Sequence, residues 1–139
     1  MKILLLSFLT PIFSMQILCL AFLSVLFLQS GLDKVFNYQG NYEWLKGHFA
    51  KSPLKNTVGL LMPTITLLEV AAGVCCAIGI VNLFLNGANT GMGLIGAQLS
   101  AVSILALFFG QRLAQDYAGA GALTGYFLIS LLGIYLCSL

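Results

Sequence analysis

Charged residues are scarce in this chain of 139 residues. Asp, Glu, Lys and Arg together make up 7% of it, whereas about 25% of a typical soluble domain is charged. So few charges cannot cover a soluble surface, and the 60% hydrophobic content indicates that lipid is the solvent. The net charge of +2 is too small to indicate nucleic acid. We therefore expect an integral membrane protein whose first partner is the lipid bilayer.

Motifs for dithiol and metal chemistry are also missing. No C-x-x-C pair is present, which disfavours a redox dithiol site. We interpret the cysteines as packing residues, with a vicinal disulfide or a metal site at the adjacent pair as the alternative. They are Cys19, Cys75, Cys76 and Cys137. The only histidine, His48, lacks partners at ligand spacing, so we predict no metal site. The G-x-G-x-x-G run at 91–96 has no preceding strand, and we interpret its glycines as a helix-packing seam.

Long apolar runs dominate what remains. A transmembrane helix needs about 20 apolar residues, and four runs reach that length. We predict spans at about 11–36, 56–80, 91–113 and 117–138. Pro11 suits the first turn of a helix, and Pro63 predicts a kink in the second span. The predicted fold class is all-α, an integral membrane four-helix bundle that forms a single domain over residues 1–139.

The one sizeable polar segment, 33–56, lies between the first two spans. Aromatic residues recur within it at helical spacing, which predicts a short interfacial helix over about 38–53. Four of them are predicted anchors at the level of the lipid headgroups. They are Tyr38, Tyr42, Trp44 and Phe49. Five basic residues fall on this side of the membrane and one on the other, so the positive-inside rule places 33–56 and 111–116 in the cytoplasm.

Glu69 is the most informative single residue. It lies about a dozen residues into the second span, or ~18 Å at 1.5 Å per residue, which is near the bilayer midplane. A charge there costs ~2.5–3.5 kcal/mol on insertion scales and normally faces the bundle interior. Gln98 and Ser130 lie at similar predicted depth, so we predict a polar layer of these three residues. Two interpretations remain open. In the functional one, Glu69 exchanges a proton or forms a hydrogen bond with a buried headgroup such as that of a quinone. In the structural one, Glu69 is neutral and only forms hydrogen bonds with neighbouring helices.

A second predicted cluster lies at the ends of the spans. Arg112 and Asp116 are four residues apart and can pair on one helical face. Asp33 and Lys34 lie on the same side of the membrane, so we predict an interfacial charge network of these four residues. The alternative is a simple anchor at the helix end with a snorkelling arginine.

Three stretches carry a resemblance to a known family. The first is FLQSGLDKV at 27–35, which contains an S-G-x-x-K pattern. The second is LEVAAG at 68–73, which is followed by IGI at 78–80. The third is QRLAQDYAGA at 111–120. From about residue 18 to its end the chain resembles the DoxX-like family of small four-helix integral membrane proteins. The resemblance implies a role beside quinone-linked oxidoreductases, since some members accompany thiosulfate:quinone or terminal oxidase complexes. Related bundles that rely on paired cysteines differ from this chain, which has no such pair.

The expected function is therefore that of an accessory subunit of a membrane-bound, quinone-linked oxidoreductase complex. We expect other membrane subunits as partners, a bacterial inner membrane location and quinone as the ligand. We expect no cofactor bound by this chain alone and no catalysis by it alone. The alternative is a structural or assembly protein without chemistry.

Overall fold

The structure is a computed structural model that describes residues 10–139. Within that range the chain forms helices joined by turns, which confirms the all-α prediction. The helices are α1 (Pro11–Phe36), α2 (Tyr38–His48), α3 (Val58–Leu85), α4 (Gly91–Leu113), α5 (Tyr117–Ala122) and α6 (Thr124–Cys137).

Four segments are long and apolar enough to cross a membrane. They are α1, α3, α4 and the stretch Tyr117–Cys137 formed by α5 and α6. Less than half of each segment's most apolar window is buried within the bundle. The outer faces carry large apolar side chains such as Leu18, Leu67 and Leu128, each at least 60% exposed. Lipid is the natural solvent for these faces, and the four-helix membrane bundle is thereby confirmed.

The bundle has a square arrangement. Helix α3 packs between α1 and α4, α4 packs against α6, and α6 closes the square against α1. The core lies along the inner faces of these helices. Its largest fully buried side chains include Leu20, Leu23 and Phe27 from α1, Met62 and Leu83 from α3, and Ile104 from α4.

Three predicted boundaries differ from the structure. Helix α3 ends at Leu85 rather than near residue 80, since residues 81–85 are apolar apart from Asn82 and the polar turn follows at 86–90. The interfacial helix ends at His48, and turns occupy 49–57. The fourth span is interrupted at Leu123, within a glycine-rich tract of low helix propensity. The Thr124 hydroxyl donates to the Gly121 carbonyl at 2.8 Å there.

Glycines bring α3 and α4 together near the 86–90 turn. A Cβ on Gly79 would lie 2.6 Å from both the Cα and the N of Gly93. A Cβ on Gly96 would lie 2.7 Å from the backbone N of Cys76. The two backbones are therefore in direct contact, as small residues permit in membrane bundles. The interpretation of the 91–96 run as a packing seam is confirmed.

Candidate functional site

A buried ion pair joins α1 to α3. Nζ of Lys34 lies 3.0 Å from Oε2 of Glu69, and the side chains are 14% and 1% exposed. The Ser30 hydroxyl donates to the same Glu69 oxygen at 2.9 Å. Lys34 Nζ donates to Ser30 Oγ at 2.8 Å. A buried charge is tolerable when it is paired and hydrogen-bonded in this way.

The S-G-x-x-K pattern explains how α1 reaches Glu69. Ser30 and Lys34 are four residues apart on one helix and therefore lie on the same face. Gly31 lies between them, and a Cβ there would come within 2.7 Å of Cγ2 of Val70. Because Gly31 has no side chain, α1 approaches α3 beside Glu69, and both polar side chains of α1 reach the carboxylate.

The predicted polar layer does not form. Glu69 is buried as expected, but Gln98 lies on an exposed face of α4. Ser130 is buried, and its hydroxyl donates to the Phe127 carbonyl of the same helix at 2.6 Å. Residue counting gives depth along a helix but not its rotation. The neighbouring Ala97 faces the core, so Gln98, 100° further around the helix, points away from it.

A cavity of about 380 Å³ lies beside the ion pair, between α2, α3 and α4. Lys34 is on its wall, while Glu69 is not. The wall is mainly apolar, with a few polar groups, which is typical of a small-molecule site. The other lining residues are Asn41, Trp44, Leu45, Phe49, Leu54, Val58, Leu61, Met62, Thr64, Ile65, Leu68, Ala106, Leu107, Phe109, Gly110 and Gln111.

Helix α2 covers one side of this cavity, and His48 joins its end to the rest of the protein. His48 Nε2 lies 2.6 Å from Oε1 of Gln111 and 3.7 Å from Oδ2 of Asp116. The Trp44 ring stacks on the imidazole, with ring centroids 4.6 Å apart. The sequence did not identify this junction. The four-residue spacing of Trp44 and His48 is visible in the sequence. However, Gln111, the residue that His48 contacts, lies 63 residues further along the chain.

The predicted charge network divides into separate contacts. Lys34 pairs with Glu69 on another helix. Asp33, on the exposed side of α1, accepts a hydrogen bond through Oδ2 from Nδ2 of Asn41 at 3.2 Å. These contacts connect α1 to α3 and to α2, and neither of them involves Arg112 or Asp116.

The predicted pairing of Arg112 with Asp116 on one helical face is wrong. Helix α4 ends at Leu113, and Gln115 then adopts a positive φ of 60°, so Asp116 leaves the face of Arg112. Asp116 caps α5 instead by accepting from the Gly119 N–H at 2.9 Å. The Arg112 guanidinium lies over the Tyr117 ring, 4.5 Å from its centroid, which is a cation–π contact.

The predicted interfacial anchors differ in their surroundings. Tyr38 and Trp44 are 38% and 60% exposed, and the rings of Tyr38 and Tyr42 stack with centroids 6.4 Å apart. Phe49 instead turns toward α4, where its ring lies 3.5 Å from the position of a Cβ on Gly110. Phe49 therefore belongs to the cavity wall.

Comparisons with protein-family models, with curated proteins and with solved structures found no match for this chain. Ser30, Gly31 and Lys34 belong to the stretch 27–35, and Glu69 belongs to the stretch 68–73. The fold brings these two stretches into contact at the ion pair.

Proposed function

We propose that this chain is a DoxX-like membrane protein that serves as an accessory subunit of a quinone-linked oxidoreductase complex. The proposal places it in a bacterial inner membrane, with 33–56 and 111–116 in the cytoplasm. The observation that carries the proposal is the apolar cavity beside the interfacial helix, with Lys34 on its wall. Such a position suits a ligand that reaches the protein from the lipid phase.

The lining of the cavity favours a quinone. A quinone is a flat, uncharged ring whose carbonyl oxygens accept hydrogen bonds and whose tail is apolar. Lys34 can donate to such an oxygen, and the rings of Trp44, Phe49 and Phe109 offer aromatic surface. The volume of about 380 Å³ lies in the range of ~300–1,000 Å³ typical of ligand sites, which is room for a headgroup and the start of a tail.

The proposal assigns the redox centre to a partner subunit. The single histidine contacts Gln111 and Trp44, and the four cysteines are free thiols. The role of this chain would then be to hold the quinone beside a partner that exchanges electrons with it.

Isolation of the intact complex in mild detergent tests this function. We expect a copurifying subunit that carries haem, flavin or another redox centre. We also expect quinone-dependent turnover to fall when Ala106→Phe obstructs the cavity. Gly121→Ala is the matched control, since a Cβ on Gly121 meets nothing within 4 Å. A redox partner whose turnover is unchanged by Ala106→Phe would contradict the quinone role.

A structural or assembly role is the second candidate, and a specific observation favours it. The carboxylate of Glu69 accepts hydrogen bonds from both Lys34 and Ser30. This cluster can serve simply to hold α1 against α3. That role predicts a partner without a redox centre. It also predicts that Lys34→Met disrupts the complex while Ala106→Phe leaves it intact.

A further inference from the structure

The two charged side chains nearest the cavity, Lys34 and Glu69, differ in their position relative to it. Lys34 lies on the cavity wall, and Glu69 lies behind it at 3.0 Å, away from the cavity. A lysine alone at the end of an apolar cavity would attract the head of an anionic amphiphile, such as a fatty acid. Because Glu69 balances the lysine at short range, the wall presents little net charge to a ligand.

The other polar lining groups are uncharged. The side chains concerned are those of Asn41, Thr64 and Gln111. Asn41 donates to the Asp33 carboxylate, and Gln111 contacts His48. Asp33 and His48 themselves do not line the cavity. The electrostatic character of the wall therefore depends on the Lys34–Glu69 pair.

Lys34 can still donate a hydrogen bond to a ligand. An ammonium group has three N–H donors. Glu69 Oε2 takes one at 3.0 Å and Ser30 Oγ takes another at 2.8 Å. The remaining contact, with the Ser30 carbonyl, is long at 3.5 Å. One N–H is therefore weakly engaged and can be given to an acceptor in the cavity.

We propose that Glu69 sets the charge selectivity of this cavity by neutralising Lys34, so that it binds an uncharged carbonyl compound of the quinone class and rejects anionic amphiphiles. In this role Glu69 is a specificity-determining residue that acts through Lys34 and does not touch the ligand. The inference rests on the proposed function for the identity of the ligand and adds how that ligand is distinguished from abundant lipid anions.

The single tryptophan provides the measurement. Trp44 is the only tryptophan of the chain and lines the cavity, so quenching of its fluorescence reports occupancy. The full chain in detergent is titrated with a decyl-substituted benzoquinone, with brominated dodecanoate and with a brominated monoacylglycerol, which is an uncharged acyl lipid. Ala106→Phe, which is designed to obstruct the cavity with a phenyl ring at its wall, defines the quenching that arises outside it.

We expect the wild-type protein to bind the quinone at least about tenfold more tightly than dodecanoate or the acyl lipid. In Glu69→Gln the quinone-to-dodecanoate ratio should shift toward dodecanoate by about tenfold or more, which is ~1.4 kcal/mol. The reason is that Lys34 then carries an uncompensated charge a few ångströms from the carboxylate of the bound dodecanoate. The double variant Lys34→Met with Glu69→Gln should lose this preference for the anion. A residue with only a structural role would weaken both ligands together.

The outcomes separate the two proposals. If dodecanoate binds the wild-type protein as well as the quinone does, or if Glu69→Gln leaves the ratio unchanged, the selectivity inference is overturned while the proposed function stands. If no probe causes quenching that Ala106→Phe removes, both fail. Preference for the acyl lipid over the quinone also overturns the inference. Should Glu69→Gln fail to fold, Glu69→Met, which removes the same charge with a side chain of similar length, takes its place, and an unchanged ratio in that variant overturns the inference.

Discussion

The α3–α4 hairpin is tight at one end and open at the other. At the tight end, formed by Cys76, Gly79, Gly93 and Gly96, the two backbones touch. At the open end, formed by 58–68 and 106–111, the helices leave the cavity of about 380 Å³, and α2 covers it. One pair of helices thus provides both a close-packed contact and a candidate binding site.

The two ends are stabilised differently. The tight end depends on steric fit, because a Cβ on Gly79 or on Gly96 would collide with the facing backbone. The open end depends on polar contacts with other helices, namely the Lys34–Glu69 pair with α1 and the His48–Gln111 contact with α2. Substitutions at the two ends should therefore have different effects.

The largest effect is expected from Lys34→Met beside the open end. It leaves the Glu69 carboxylate, 1% exposed, without its cation, and breaking a buried pair typically costs ~3–5 kcal/mol. Denaturant titration in detergent, followed by circular dichroism, measures the free energy of unfolding. Lys46→Met, at an exposed position of α2, is the control. Equal stability of the two variants would show that the ion pair does not hold α1 to α3.

The next largest effect is expected at the tight end, from Gly79→Ala. The new methyl group would lie 2.6 Å from backbone atoms of Gly93, and such overpacking typically costs ~1–3 kcal/mol. The same titration measures it against Gly121→Ala, where a Cβ has open space. A stability gain in both variants, as helix propensity alone predicts, would refute the close contact.

A smaller and local effect is expected from His48→Ala. The substitution removes the contact with Gln111, and a hydrogen bond typically contributes ~1 kcal/mol. Amide hydrogen exchange should become faster in α2 and remain unchanged around Gly79 and Gly93. Lys46→Ala serves as the control on the same helix. Unchanged exchange in α2 would mean that His48 does not hold this helix over the cavity.

The smallest effect on stability is expected from Ala106→Phe. Ala106 lies on an exposed face at the cavity wall, so a larger side chain can enter the cavity at a cost within ~0.5 kcal/mol, as for most surface substitutions. Destabilisation comparable to that of Gly79→Ala would show that the open end is as closely packed as the tight end.

The sequence-based predictions succeeded where local pattern was sufficient. Runs of apolar residues placed α1 and α4 at their observed bounds, and the cost of a buried charge predicted that Glu69 faces the interior. Predictions failed where rotation or chain direction mattered. Gln98 turned out to face outward, and the turn at Gln115 separated Asp116 from Arg112.

Local sequence pattern was enough to predict that lipid surrounds this protein and that it has four spans, because hydropathy and length depend on consecutive residues alone. It also required a partner for Glu69. Tertiary structure decided which partner, since Lys34 is 35 residues away along the chain and meets Glu69 only because Gly31 lets α1 approach α3. Tertiary structure also decided that the cavity lies beside this pair. The cavity forms where helices diverge, and no single segment of the sequence encodes that divergence.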